Sequence, residues 1–113
     1  MNLIKLSAVF IGLIVSACPA GDSRNVKLVK GLEASLVLPA DAEPLNKYDR
    51  IYAIGRTQIK GVLLFNGRSE GEFRIVPEGN VYMERKDGGC EAIQVTYDRS
   101  LKRWTSVVCN GNA

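Results

Sequence analysis

The side chains most able to do chemistry in this chain are its three cysteines, Cys18, Cys90 and Cys109, because histidine is absent. Without histidine the chain lacks the side chain that most often serves as general base near neutral pH. Ser-His-Asp and Cys-His arrangements are excluded, and zinc and copper sites lose their commonest ligand. No metal, no cofactor and no catalytic residue is therefore expected, and the chain has no nucleotide-binding glycine loop. Carboxylates are plentiful, and Glu70 and Glu72 would share a strand face, the raw material of a glycoside hydrolase pair. Following Asn66-Gly67 they read instead as a solvated turn, on a domain too small to offer much cleft. What remains is thiol chemistry, and an odd number of thiols leaves one sulfur to be explained.

The N-terminus supplies the explanation. Met1–Lys5 carries one positive charge, and Leu6–Ala17 (LSAVFIGLIVSA) is an almost purely apolar run. Its length, about 12 residues, suits the core of a secretory signal peptide and falls short of a membrane-spanning helix. The run ends in Val15-Ser16-Ala17-Cys18, which resembles a lipobox, the cleavage motif of bacterial lipoproteins, with valine where leucine is commonest. The resemblance implies cleavage before Cys18, a diacylglycerol on its sulfur and an acylated new amine. Several acyl chains together anchor stably, at roughly 0.8 kcal/mol per buried CH₂. Val15 and Ala17 also suit ordinary signal peptidase, so soluble periplasmic or secreted protein is the alternative. The expected organisation is a signal peptide over 1–17, a lipid-anchored tether over 18–25 (small and polar, PAGDSRN after Cys18) and a single β domain over 26–113.

If Cys18 carries lipid, Cys90 and Cys109 are left as a pair, and an oxidising compartment outside the cytoplasm favours their disulfide. Glu91–Tyr97 and Trp104–Val108 are rich in β-branched and aromatic residues, with Asp98-Arg99-Ser100-Leu101 as a turn between them. Centring the hairpin between Arg99 and Ser100 sets Cys90 opposite Cys109. It pairs Val95 with Trp104 and Ile93 with Ser106 on the face with the larger side chains, the candidate core face.

In the rest of the chain, Val26–Lys30 (VKLVK) reads as a first strand and Leu36-Val37-Leu38 as another, ended by Pro39. Leu45–Arg50 suits a single helical turn. Ile51–Ile54, Ile59–Phe65, Glu72–Val76 and Val81–Glu84 follow as strands, punctuated by Gly55, Asn66-Gly67, Pro77-Glu78-Gly79 and Asp87-Gly88-Gly89. The expected fold is all-β: a small antiparallel meander of about six short strands, barrel- or sandwich-like, closed by a C-terminal cystine hairpin.

Two exposed clusters are candidates for binding. One is the loop Pro77-Glu78-Gly79-Asn80; the other is Arg99, Lys102 and Arg103 at the hairpin tip, suited to an anionic contact or simply to keeping an edge soluble. Tyr48, Tyr52, Tyr82, Tyr97 and Trp104 serve either a recognition surface or the core. Net charge is +3, with 15 basic and 12 acidic residues interspersed, so no nucleic-acid partner is expected. The segment Arg74-Ile75-Val76-Pro77-Glu78-Gly79-Asn80-Val81 resembles part of the small bacterial serine-protease inhibitors, which have Arg, an aliphatic pair, Pro-Gly, a valine strand and a final cysteine-glycine. Here Glu78 splits the Pro-Gly pair and Asn110 separates Cys109 from Gly111, and the likeness covers about 35 residues. As a whole the chain resembles the small exported lipoproteins of Gram-negative bacteria, a likeness that carries no activity. The function expected is a membrane-anchored, non-enzymatic envelope module, its partners the membrane and an envelope protein; the alternative is an inhibitor of a protease or lysozyme-type hydrolase.

Overall fold

The computed structural model describes residues 23–67, 70–81 and 87–111. The expected signal peptide, Cys18, Tyr82 and most of the strand expected over Val81–Glu84 lie outside the described residues. Two compact units meet in the sequence at Ala34–Ser35; the first carries a helix and the second a sheet.

Residues 23–33 form helix α1, which corrects the strand expected over Val26–Lys30 and takes in the last residues read as tether. The reason lies in the period. Val26, Val29 and Leu32 recur every third residue, as do Lys27 and Lys30, and that is helical spacing. Five residues viewed alone mimic alternation. Val29 is fully buried and Glu33, one turn on, is 8% exposed, so both lie on the shielded stripe. Leu36–Leu38, also expected as a strand, is irregular: three residues before a proline are too few to sustain one, and Val37 is 80% exposed.

The second unit opens with a 3₁₀ turn over Leu45–Lys47 and runs into strands β1 (Tyr48–Ile54), β2 (Gln58–Phe65), β3 (Phe73–Val76), β4 (Asp87–Asp98) and β5 (Arg103–Gly111). The described strands form one open sheet in the order β3-β1-β2-β4-β5, with β3 parallel to β1 and every other pair antiparallel. This corrects the antiparallel meander and its barrel- or sandwich-like form, while the mostly β character stands. After β2 the chain does not turn back beside it but crosses the start of β1 to its far edge. Gly71 makes that crossing: a Cβ there would collide with the Tyr48 carbonyl, and its own N–H donates to the Asn46 carbonyl at 2.7 Å. Asp49 Oδ1 fastens both ends of the link, accepting from Asn66 Nδ2 at 2.6 Å and from the Glu72 amide at 2.8 Å. Glu70 and Glu72 therefore lie in this link, not on a common strand face.

Register places one row of side chains across the sheet: Ile75, Tyr52, Gly61, Val95 and Val107. The next row holds Phe73, Arg50, Leu63, Ile93 and Cys109. Tyr48, Tyr52, Ile59, Leu63, Ile93 and Val95 on this face are all buried, so the expected core face of the hairpin, Ile93 and Val95, carries the large buried side chains of the sheet, with Ala53, Val62 and Ala92 buried on the opposite face. Tyr52 packs on Phe73 and Trp104 with ring centroids at 5.5 and 6.4 Å, and Tyr97 meets Trp104 edge-on at 5.1 Å. Gly61 is the gap these rings need, since a Cβ would lie 2.5 Å from the Tyr52 ring.

The disulfide joins Cys90 to Cys109 across the β4–β5 hairpin, with the Cα atoms 4.6 Å apart. The register around it differs from expectation. Asp98 pairs with Arg103, not Leu101, and Tyr97 with Trp104; Val95 and Ile93 then face Val107 and Cys109. Two local features cause the shift. The turn takes four residues, because Asp98 Oδ1 accepts from the Ser100 and Leu101 amides and from Ser100 Oγ, each at 2.9 Å, while Lys102 turns the corner at φ 58°. Thr105 is then an extra residue on β5. A second irregularity, beside Gly89 at φ 57°, returns the pairing to Gly89 opposite Asn110, which brings the two cysteines together after all.

Candidate functional site

The structure sends the two expected clusters to different places. Pro77–Asn80 is exposed and held as a turn by the Asn80 amide donating to the Pro77 carbonyl at 3.1 Å. Gly79 sits at φ 94°, a conformation that favours glycine. From this turn the Glu78 carboxylate reaches Gly55, where a Cβ would come within 2.5 Å of Oε2. Glu78 and Gly79 thereby wall a cavity of about 310 Å³ with Thr57, Gln58 and Lys60.

Arg99 comes to the other side of the same β1–β2 turn. That turn is closed by the Gly55 amide donating to the Gln58 carbonyl at 2.8 Å. The Arg99 amide donates to the Thr57 carbonyl at 2.9 Å and its Nη1 to the Gly55 carbonyl at 2.8 Å. Arg99 thus clasps one hairpin tip to another, a structural use of a residue that the sequence marks for anion contact. Lys102 and Arg103 part company with it. They rim a separate depression of about 320 Å³ whose apolar lining is Val37, Trp104 and Val107.

Of the aromatic residues, Tyr48, Tyr52 and Tyr97 are core and Trp104 is half-buried. The Tyr48 hydroxyl donates to the Cys90 carbonyl at 2.6 Å and accepts from the Glu43 amide at 3.1 Å. Burial raises its pKa above the ordinary phenol value, with a smaller opposing pull from the Glu43 amide. Asp98 moves the other way: the Leu101 amide first, then the Ser100 hydroxyl, hold its carboxyl below the ordinary value.

Among the described residues no group of three or more Cys, Asp or Glu side chains could hold a metal ion. Sequence reading did miss Thr57, Gln58 and Lys60 beside Glu78, and Val37 and Val107 beside Arg103. These meet only through the strand order, and no local signal marks them. Comparison with family models, with characterised proteins and with solved structures gave no match to this chain.

Proposed function

We propose that the protein is a cell-envelope lipoprotein, held at a membrane by lipid on Cys18 and acting as a non-enzymatic binding module for another envelope component. The observation that carries the reading is the sulfur count. Cys90 and Cys109 are bonded to each other, so the third cysteine is the one that ends Val15-Ser16-Ala17-Cys18. A disulfide also belongs with an oxidising compartment outside the cytoplasm. On this reading the lipid supplies membrane retention and the sheet supplies a rigid surface.

Labelling with an alkyne fatty acid in a Gram-negative host tests the anchor. Wild-type protein takes the label and partitions into detergent, while Cys18→Ser does neither and leaves with the soluble envelope fraction. Unlabelled, soluble wild-type protein would overturn the anchor and favour plain export. Cross-linking in intact envelopes tests the module, and repeated recovery of no specific partner counts against it.

A second reading, inhibition of a protease or lysozyme-type hydrolase, draws on the exposed Pro77–Asn80 turn beside a disulfide-tied sheet. A panel of both enzyme types decides it: no inhibition at micromolar protein removes this reading.

A further inference from the structure

The two edges of the sheet are treated differently. β3 is a four-residue edge, Phe73–Val76, with Arg74 exposed and Pro77 directly after it. Short length, charge and proline are the usual guards against adding a strand. β5 has none of them after its first residue. It runs for nine residues, Arg103–Gly111, with no proline and no charge beyond Arg103, and among the described residues its strand neighbour is β4 alone. Every second residue of an edge strand turns its N–H and C=O outward, a template for another strand. Val108 on this strand is 52% exposed.

Beside the same strand lies the depression of about 320 Å³ lined by Val37, Trp104 and Val107 and rimmed by Ser35, Lys102 and Arg103. Val37 leaves 80% of its surface to solvent. Apolar lining and cationic rim stand together at the start of β5. The acid nearest in sequence, Asp98, has its carboxylate engaged by the turn amides and also attracts Arg103, its partner across the hairpin, while Lys102 and Arg103 both keep an exposed surface.

We propose that β5 is a docking edge for an extended, acidic segment of a partner protein, added as a sixth strand. The proposal rests on the binding-module reading and names the chemistry of its partner. Antiparallel addition is the more stable geometry. It brings the C-terminal end of the segment to the start of β5, so its last side chains are the acidic ones and face Lys102 and Arg103. An aliphatic side chain two or three residues earlier fills the depression against Trp104. Backbone hydrogen bonds supply affinity, and the two cations with the apolar lining select the sequence.

Trp104 is the single tryptophan of the chain, so its emission reports the depression directly. The full chain in detergent is titrated with the blocked peptide Thr-Val-Thr-Leu-Thr-Asp-Glu and with a twin ending in Lys-Lys. The expected result is a saturable change in Trp104 emission with the acidic peptide, at least tenfold weaker with the basic twin and weakened by salt. Charge reversal by Lys102→Glu with Arg103→Glu, in a chain whose circular dichroism is unchanged, inverts the preference. An acidic peptide N-methylated at alternate residues loses binding. Three results would each overturn the proposal: no response to either peptide, equal binding before and after charge reversal, or emission that changes with protein concentration alone while sedimentation shows a dimer. The last would give the edge to a second copy of the chain. Capture of a specific envelope partner by a chain that ignores the acidic peptide would sink this inference and leave the binding-module reading standing.

Discussion

At the residue scale, three side chains hold positions whose cost or benefit can be measured. Tyr48 is buried with its hydroxyl between the Cys90 carbonyl and the Glu43 amide. Tyr48→Phe leaves those groups short of a partner and is expected to lower stability by about 1–3 kcal/mol in chemical denaturation. The phenol also sets a pH limit. Its folded-state pKa is raised, so its contribution is complete below the ordinary phenol value near 10 and is lost as pH rises through the folded value. Ultraviolet titration should show a late phase that Tyr48→Phe diminishes, and the same substitution should flatten the alkaline loss of stability. Asp98 works at the acid end. Its pKa is lowered by the Leu101 and Ser100 donors, so its stabilisation is present above the ordinary carboxylate value and fades as pH falls through the folded one. Asp98→Ala is expected to lower the melting temperature at neutral pH and to converge with wild type in acid. Lys102 at φ 58° carries a side chain where glycine is at ease, and Lys102→Gly should raise stability by about 1 kcal/mol. A melting temperature that falls instead would mean that the lysine side chain makes a contact worth more than the backbone strain.

At the scale of elements, the sheet depends on close approaches that glycine alone permits. Gly61 faces Tyr52 on one strand and Val95 on the other, and Gly61→Ala would drive a methyl group into the Tyr52 ring. An overpacked core site of this kind costs about 1–3 kcal/mol. Thermal unfolding checks it, and Gly31→Ala, where nothing lies within 4 Å, is the contrasting substitution: it should be neutral or mildly stabilising in α1. The disulfide acts on the hairpin as a whole. It closes a separation of 19 residues, for which the chain-entropy account gives about 3 kcal/mol. Cys90→Ser with Cys109→Ser should lose up to that amount, and less to the extent that β4 and β5 already pair in the unfolded ensemble. Arg99 links this hairpin to the β1–β2 turn, so Arg99→Ala should speed amide exchange at Gly55 while leaving exchange in the middle of β4 unchanged.

At the scale of the whole molecule, what could be read from the sequence was whatever depends on neighbours along the chain. The β character, the breaks at Gly55, Asn66-Gly67 and Pro77, and the core face carrying Ile93 and Val95 all follow from local pattern. The cystine pairing followed from sulfur parity together with the lipobox resemblance. Strand order did not, because nothing local tells the chain leaving Phe65 to cross β1 rather than turn beside β2; the need for Gly71 appears only once Tyr48 is seen beneath it. The hairpin register was hidden for a related reason, since a four-residue turn and an extra residue at Thr105 shift it without altering the alternation. Helix α1 was lost to a five-residue window, too short to tell a period of about 3.6 from one of about 2. The candidate surface split along the same line. Glu78 and Arg99 were drawn to opposite sides of one turn by the strand order, while Lys102 and Arg103 stayed with β5, an edge among the described strands.

Anchorage and the tied hairpin both depend on what each sulfur carries, and the intact mass of protein extracted from membranes reads all three at once. The mass predicted is that of residues 18–113 with a diacylglycerol and an amide-linked acyl chain at Cys18, less two hydrogens for the bond between Cys90 and Cys109. A chain that begins elsewhere, bears no lipid, or gains two alkyl groups from a thiol reagent without prior reduction would contradict it.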